Sequence, residues 1–140
     1  MEKIRVLFLC TGHSCRAPMA EAWMKRLAGN IIDVKSAGIE ANGINPYTRV
    51  VMSEVDIDIS DTESVSLKSD MLEWADLLVT LCDNAEEQCP IVNDEIAKLH
   101  LPLSDPSKIK DEDEILFAFR ETRDEVKKRV DFVLTQLVER

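Results

Sequence analysis

The residues of this 140-residue chain that can do chemistry form one dense cluster and three outliers. The cluster is Cys10-Thr11-Gly12-His13-Ser14-Cys15-Arg16, preceded by the apolar run Val6-Leu7-Phe8-Leu9 and followed by a helical pattern. A five-residue loop between a cysteine and an arginine can curl so that successive backbone N–H groups converge. At a helix N-terminus such a nest accepts an anion of phosphate size. Arg16 adds a planar pair of donors suited to a tetrahedral oxyanion. The expected oxyanion-binding set is therefore Thr11, Gly12, His13, Ser14, Cys15 and Arg16, with Gly12 giving the curl its backbone freedom. Cys10 lies at the floor of that positive field. It is expected to titrate below the ordinary thiol value of about 8.5 and to attack the centre of the bound anion.

The outliers are Cys82, Cys89 and Asp105. Cys82 ends the apolar run Leu77-Leu78-Val79-Thr80-Leu81, Cys89 precedes Pro90, and Asp105 precedes Pro106. A thiolate that attacks a tetrahedral oxyanion expels hydroxide or alkoxide poorly, and a general acid lowers that barrier. Thiols can also supply two electrons by closing a disulfide. The cysteines leave gaps of four residues (Cys10 to Cys15) and six (Cys82 to Cys89), unlike the usual zinc spacing, so no metal site and no cofactor is expected. Cys15 reads as a small buried apolar residue, and His100 as packed or surface rather than catalytic.

Elements must position these groups. Apolar or β-branched runs predict strands over 4–9, 31–37, 77–82 and 98–103. Helical patterns predict a helix from 16–18 to Gly29, with Met19, Ala22, Trp23 and Leu27 inward, and further helices over 45–52, 70–75, 84–88 and 113–138. Residues 56–69 read as loop. Alternating strands and helices indicate an α/β fold: a single domain over residues 1–140, with a four-stranded parallel sheet flanked by helices on both faces. In such sheets ligands bind beyond the carboxyl ends of the strands. Cys10, Cys82 and Asp105 each follow a predicted strand, so one sheet edge gathers all three.

Composition narrows the partners. Apolar content of 45% and charged content of 31% fit a globular chain, and no run reaches transmembrane length. The net charge of −10 argues against nucleic acid and anionic membranes, and makes any anion site a local positive patch. Four cysteines without an export signal point to a reducing cytosol.

The string Cys-Thr-Gly-x-Ser-Cys-Arg-x-x-Met-Ala-Glu, from Cys10 to Glu21, resembles the low-molecular-weight tyrosine phosphatases and the arsenate reductases built on that fold. The likeness extends over nearly the whole chain, including Ser36-Ala37-Gly38 and Asp56-Ile57-Asp58-Ile59-Ser60. It implies that Asp105, in its Asp-Pro loop, is the general acid. The strings ending in Cys82 and containing Cys89-Pro90 resemble the redox pair of the thioredoxin-coupled arsenate reductases. That resemblance implies a relay. Cys10 attacks arsenate, Cys82 attacks Cys10 and releases arsenite, Cys89 attacks Cys82, and thioredoxin reduces the resulting disulfide. The implied protein is a monomer, with phosphate as a competitor. An unbroken helix over 82–89 would hold the two Cα atoms roughly 10 Å apart, beyond disulfide reach, so that segment is expected to unwind on oxidation and expose the disulfide. The alternatives are a phosphatase hydrolysing phosphate monoesters through a phosphocysteine, which needs only Cys10, Arg16 and Asp105, and a thiol-redox sensor. Ser107 stands where the phosphatases carry an aromatic residue, which favours reduction. His13 stands where relatives carry Asn, and would bring positive charge near Cys10 if protonated. Ala17 stands where relatives carry a supporting Ser.

Overall fold

The computed structural model describes residues 3–13, 15–82 and 97–138; Ser14, Cys89 and the helix expected over 84–88 lie outside the described residues. The chain runs β1 (Ile4–Cys10), α1 (Arg16–Ala28), β2 (Ile32–Gly38), α2 (Pro46–Ser53), α3 (Ser69–Trp74), β3 (Leu77–Thr80), β4 (Ala97–His100), a short 3₁₀ turn (Pro106–Lys108) and α4 (Glu112–Val138). The strands form one four-stranded sheet in the order β2-β1-β3-β4, and every pairing is parallel. This is the α/β sheet the sequence indicates.

β1 is buried on both faces, which explains its unbroken apolar run. Val6 and Phe8 point into the larger core with α1, α2 and α4, whereas Leu7 and Leu9 meet Leu78, Ala75 and the α3 side. On α4, Phe119, Val126, Val130 and Val133 are buried, and Glu112, Asp113 and Glu114 occupy its first turn, where carboxylates complement the helix dipole. Two sequence expectations shift. On α1 the inner face runs through Ala20, Met24 and Ala28 as well as Met19 and Trp23, leaving Leu27 exposed on the flank. β3 and β4 are also shorter than expected. Leu101 N–H still reaches the Thr80 carbonyl (2.9 Å), but Pro102 has no N–H to continue the ladder.

From β1 the chain crosses to β2 on one side and later returns to β3 on the other. Strand order therefore reverses between β1 and β3, and a crevice beyond their carboxyl ends is where ligands bind in such sheets. Cys10 closes β1 there, and Cys82 follows β3 by two residues.

Candidate active site

β1 delivers Cys10 and the next residues curl away from the sheet. The carbonyls of Cys10, Thr11 and Gly12 accept hydrogen bonds from the N–H groups of Ile39 (3.1 Å), Glu40 (2.9 Å) and Asn42 (3.0 Å). Because N–H and C=O lie on opposite edges of a planar peptide, carbonyls turned outward direct the amides of this loop inward. α1 then opens at Arg16, with the Met19 N–H bonded to the Cys15 carbonyl (3.1 Å) and Pro18 in the first turn, where its missing N–H has no helical partner. The loop and the helix N-terminus border a cavity of about 100 Å³ lined by Cys10, Thr11, Gly12, Cys15, Arg16, Asn42, Asp105 and Ser107. That volume suits a small oxyanion.

Arg16 is buried, and its placement is fixed from two strands. Its Nη1 donates to the carbonyls of Leu81 (3.3 Å) and Leu103 (3.0 Å), just past β3 and β4. Its Nη2 lies 3.6 Å from Asp105 Oδ2. The Asp105 Oδ1 accepts from the backbone N–H (2.9 Å) and the hydroxyl (2.7 Å) of Ser107, which caps the 3₁₀ turn. The structure thus gathers Cys10, Arg16 and Asp105 around one cavity.

Cys10 departs from expectation in its titration. Burial pushes its thiol above the ordinary value, and the Asp105 carboxylate adds to that direction. The backbone N–H of Ala17, the Arg16 charge and the backbone N–H of His13 oppose it without overcoming burial. The nest and Arg16 are placed to hold the anion and to stabilise the thiolate as it forms.

His13 also differs from the expected charge donor. Its ring lies away from the anion cavity, buried, with Val65 N–H donating to Nδ1 (2.7 Å) and Nε2 2.7 Å from Ser36 Oγ. Nδ1 is an acceptor here, so the ring carries its single proton on Nε2 and is neutral. Burial lowers its pKa, with Glu21 pulling weakly the other way.

Cys82 is buried and takes part in a disulfide, whereas Cys10 and Cys15 are buried outside any disulfide. The Thr11 hydroxyl lies 3.7 Å from the Cys82 sulfur, which ties Cys82 to the loop. Cys89 and Ser14 lie outside the described residues, so the expected unwinding of 82–89 has no counterpart among them. Cys15 is buried, as its apolar reading requires. His100, on edge strand β4, has Nδ1 2.6 Å from Thr80 Oγ1 and plays no part in the cavity.

Two lining residues were not among the sequence-derived site set. Asn42 sits in a loop with no periodicity to mark it. Ser107 could have been found from the Asp-x-Ser spacing, in which a carboxylate caps the N–H two residues on.

The whole arrangement has known counterparts. The model of the family described as low molecular weight phosphotyrosine protein phosphatase matches residues 5–140. The arsenate reductase of Halalkalibacterium halodurans is 45% identical over 131 residues, covering 93% of this chain and 94% of its own. A solved arsenate reductase in the phosphate-binding state superposes with a TM-score of 0.75 at 31% identity, over 95% of this chain and 98% of that one. The low molecular weight protein tyrosine phosphatase of T. tengcongensis superposes with a TM-score of 0.77 at 28% identity, over 96% and 99%. With a phosphate-sized cavity closed by a cysteine, an arginine and an aspartate at the switch point of its sheet, the chain belongs to the low molecular weight phosphotyrosine protein phosphatase family.

Proposed function

We propose that the protein is a cytosolic arsenate reductase in which Cys10 is the nucleophile, Cys82 and Cys89 are the redox pair, and thioredoxin is the electron donor. The observation that carries this reading is the position of Cys82. It lies beside the oxyanion loop, its sulfur 3.7 Å from the Thr11 hydroxyl, and it is already engaged in a disulfide. A second redox-active sulfur at the loop is superfluous for ester hydrolysis but necessary for a two-electron reduction. The 45% identity to an arsenate reductase over nearly the full length supports the same reading.

The chemistry balances as follows. Arsenate enters as the hydrogen arsenate dianion, held by the loop amides and Arg16. The Cys10 sulfur bonds arsenic as one As–O bond breaks; the thiol proton and the departing hydroxyl leave together as water, with Asp105 Oδ2 handling the proton. Cys82 then attacks the Cys10 sulfur. The new S–S bond forms, the S–As bond breaks with its electron pair on arsenic, and arsenic(V) leaves as arsenite, arsenic(III). Cys89 attacks Cys82 and restores Cys10, and the resulting disulfide is reduced by thioredoxin. Phosphate has the same shape and charge as arsenate and competes for the cavity.

A phosphatase reading rests on the family and on Cys10, Arg16 and Asp105 alone. Ser107 at the cavity wall argues against it, because a serine offers an aryl ring nothing to stack on. A single-turnover experiment separates the two. Fully reduced protein mixed with arsenate, with no added donor, is expected to release one arsenite per chain and to lose two titratable thiols; Cys82→Ser is expected to release none. Aryl phosphate hydrolysis with no arsenite from the wild type supports the phosphatase instead.

A further inference from the structure

Thr80 and His100 make a side-chain contact that the relay chemistry leaves unused. They are register partners and the last residues of β3 and β4. His100 Nδ1 lies 2.6 Å from Thr80 Oγ1. A hydroxyl both donates and accepts, so the pair bonds whether Nδ1 is bare or carries a proton. β4 has four residues and lies last in the sheet order, beside β3. Ala97, Lys98 and His100 are exposed, and Leu99 alone of the four packs against the core. Little apolar burial therefore holds this strand, and the side-chain bond reinforces its backbone ladder at the end nearest the site.

The acid loop hangs on that end. Past His100, the Leu101 N–H donates to the Thr80 carbonyl (2.9 Å), Pro102 has no N–H to offer, and the Leu103 N–H reaches the Leu81 carbonyl at 3.3 Å. The Leu103 carbonyl then accepts from Arg16 Nη1 (3.0 Å), and Asp105 Oδ2 lies 3.6 Å from Arg16 Nη2. The other carbonyl that holds Arg16, that of Leu81, belongs to the β3 side. A shift of β4 against β3 would thus move Leu103 and Asp105 together while Arg16 keeps its Leu81 anchor.

We propose that Thr80 and His100 are positioning residues for proton transfer: their side-chain bond fixes the end of β4 against β3 and so sets where Asp105 stands relative to the anion held over Cys10. Neither residue lines the anion cavity. The proposal rests on Asp105 handling the proton of the departing hydroxyl, as in the reading above, and applies equally to a departing alkoxide.

The test is a double-mutant cycle between Thr80→Val and Asp105→Asn. Valine keeps the shape and strand preference of threonine and removes the hydroxyl. Single-turnover arsenite release and aryl phosphate hydrolysis are both measured, with phosphate affinity by calorimetry. Loss of one side-chain hydrogen bond is expected to slow the reaction about 3- to 10-fold in Thr80→Val, with phosphate affinity changed by less than about twofold because Arg16 stays anchored. Thr80→Ser, which restores the hydroxyl, is expected to recover most of the rate. In the Asp105→Asn background, Thr80→Val is expected to have no further effect. His100→Leu should repeat the Thr80→Val pattern and His100→Asn should recover it, and this pair serves if the valine variant does not fold. Wild-type rates on both substrates in folded Thr80→Val and His100→Leu, or a loss that multiplies in full with that of Asp105→Asn, overturn the proposal. No arsenite from the wild type, with the same cycle holding on aryl phosphate, overturns the arsenate reading and supports the positioning role.

Discussion

Ser107 holds Asp105 by a single oxygen: its N–H and its hydroxyl both donate to Oδ1, at 2.9 and 2.7 Å, which leaves Oδ2 on the side of Arg16. A carboxyl group held this way presents a defined oxygen to the departing hydroxyl. Asp105→Asn removes the carboxylate that passes the proton to the departing hydroxyl and is expected to lower kcat by about 10²–10⁴-fold. Ser107→Ala frees the carboxyl to rotate and is expected to lower kcat about 3- to 10-fold through loss of one charge-assisted hydrogen bond. Phosphate should still bind both variants, because neither change removes a cavity donor. Steady-state kinetics with phosphate calorimetry checks the separation of turnover from binding.

Buried titrating groups give the protein a pH signature. His13 is lowered in the folded state by burial, so its contribution is fully present above the ordinary histidine range and is lost as pH falls through that range toward the folded value. Cys10 is raised by burial, so its contribution is fully present below the ordinary thiol range and is lost as pH rises through the folded value. Thermal melts are therefore expected to fall between pH 7 and pH 5.5 and again in mild alkali. His13→Asn should abolish the acid-side fall and Cys10→Ser the alkaline one, each leaving the other in place.

Gly38 ends β2 against the loop, with the His13 nitrogen 2.5 Å from where a Cβ would stand and the Glu40 carbonyl also in contact. Both obstacles are backbone. Gly38→Ala is expected to displace the His13 turn and to cost at least tenfold in phosphate affinity, since the converging amides of the nest are then misaimed. Calorimetric titration with inorganic phosphate reads this directly.

Phe119 is fully buried on α4, with its ring 5.4 Å from that of Tyr47 on α2. Phe119→Ala leaves a cavity between α4 and α2 and is expected to destabilise by about 3–5 kcal/mol. Urea denaturation should show a lowered midpoint with an unchanged slope. The anion cavity does not include this residue, so kcat at low temperature should be retained.

Much of this architecture was legible because it follows from period and punctuation. The buried run Val6-Leu7-Phe8-Leu9, the start of α1 at Arg16 and the stop at Gly29 are local signals, and each element they predict is present. Cys10, Cys82 and Asp105 were legible because each follows a predicted strand, and strand ends in a parallel sheet share one edge; Arg16 was legible from its five-residue spacing to Cys10 at the start of α1. What was hidden depends on packing. The titration of Cys10 turns on how little water reaches it, which no spacing reports. The His13 ring could be read as a charge near sulfur, yet its neutrality is imposed by a backbone N–H fifty-two residues away, at Val65. The inner face of α1 was misphased at Leu27 because one leucine on the flank satisfies the same four-residue spacing as the true core position, Ala28.

The most direct test of the account is arsenite production from arsenate by the purified protein with thioredoxin, thioredoxin reductase and NADPH, run in parallel on wild type and Cys82→Ser. The account predicts many turnovers in the wild type and none in Cys82→Ser, while any hydrolysis of aryl phosphate survives the substitution. Arsenite formation at the same rate in both, or vigorous aryl phosphate hydrolysis with no arsenite from either, would contradict it.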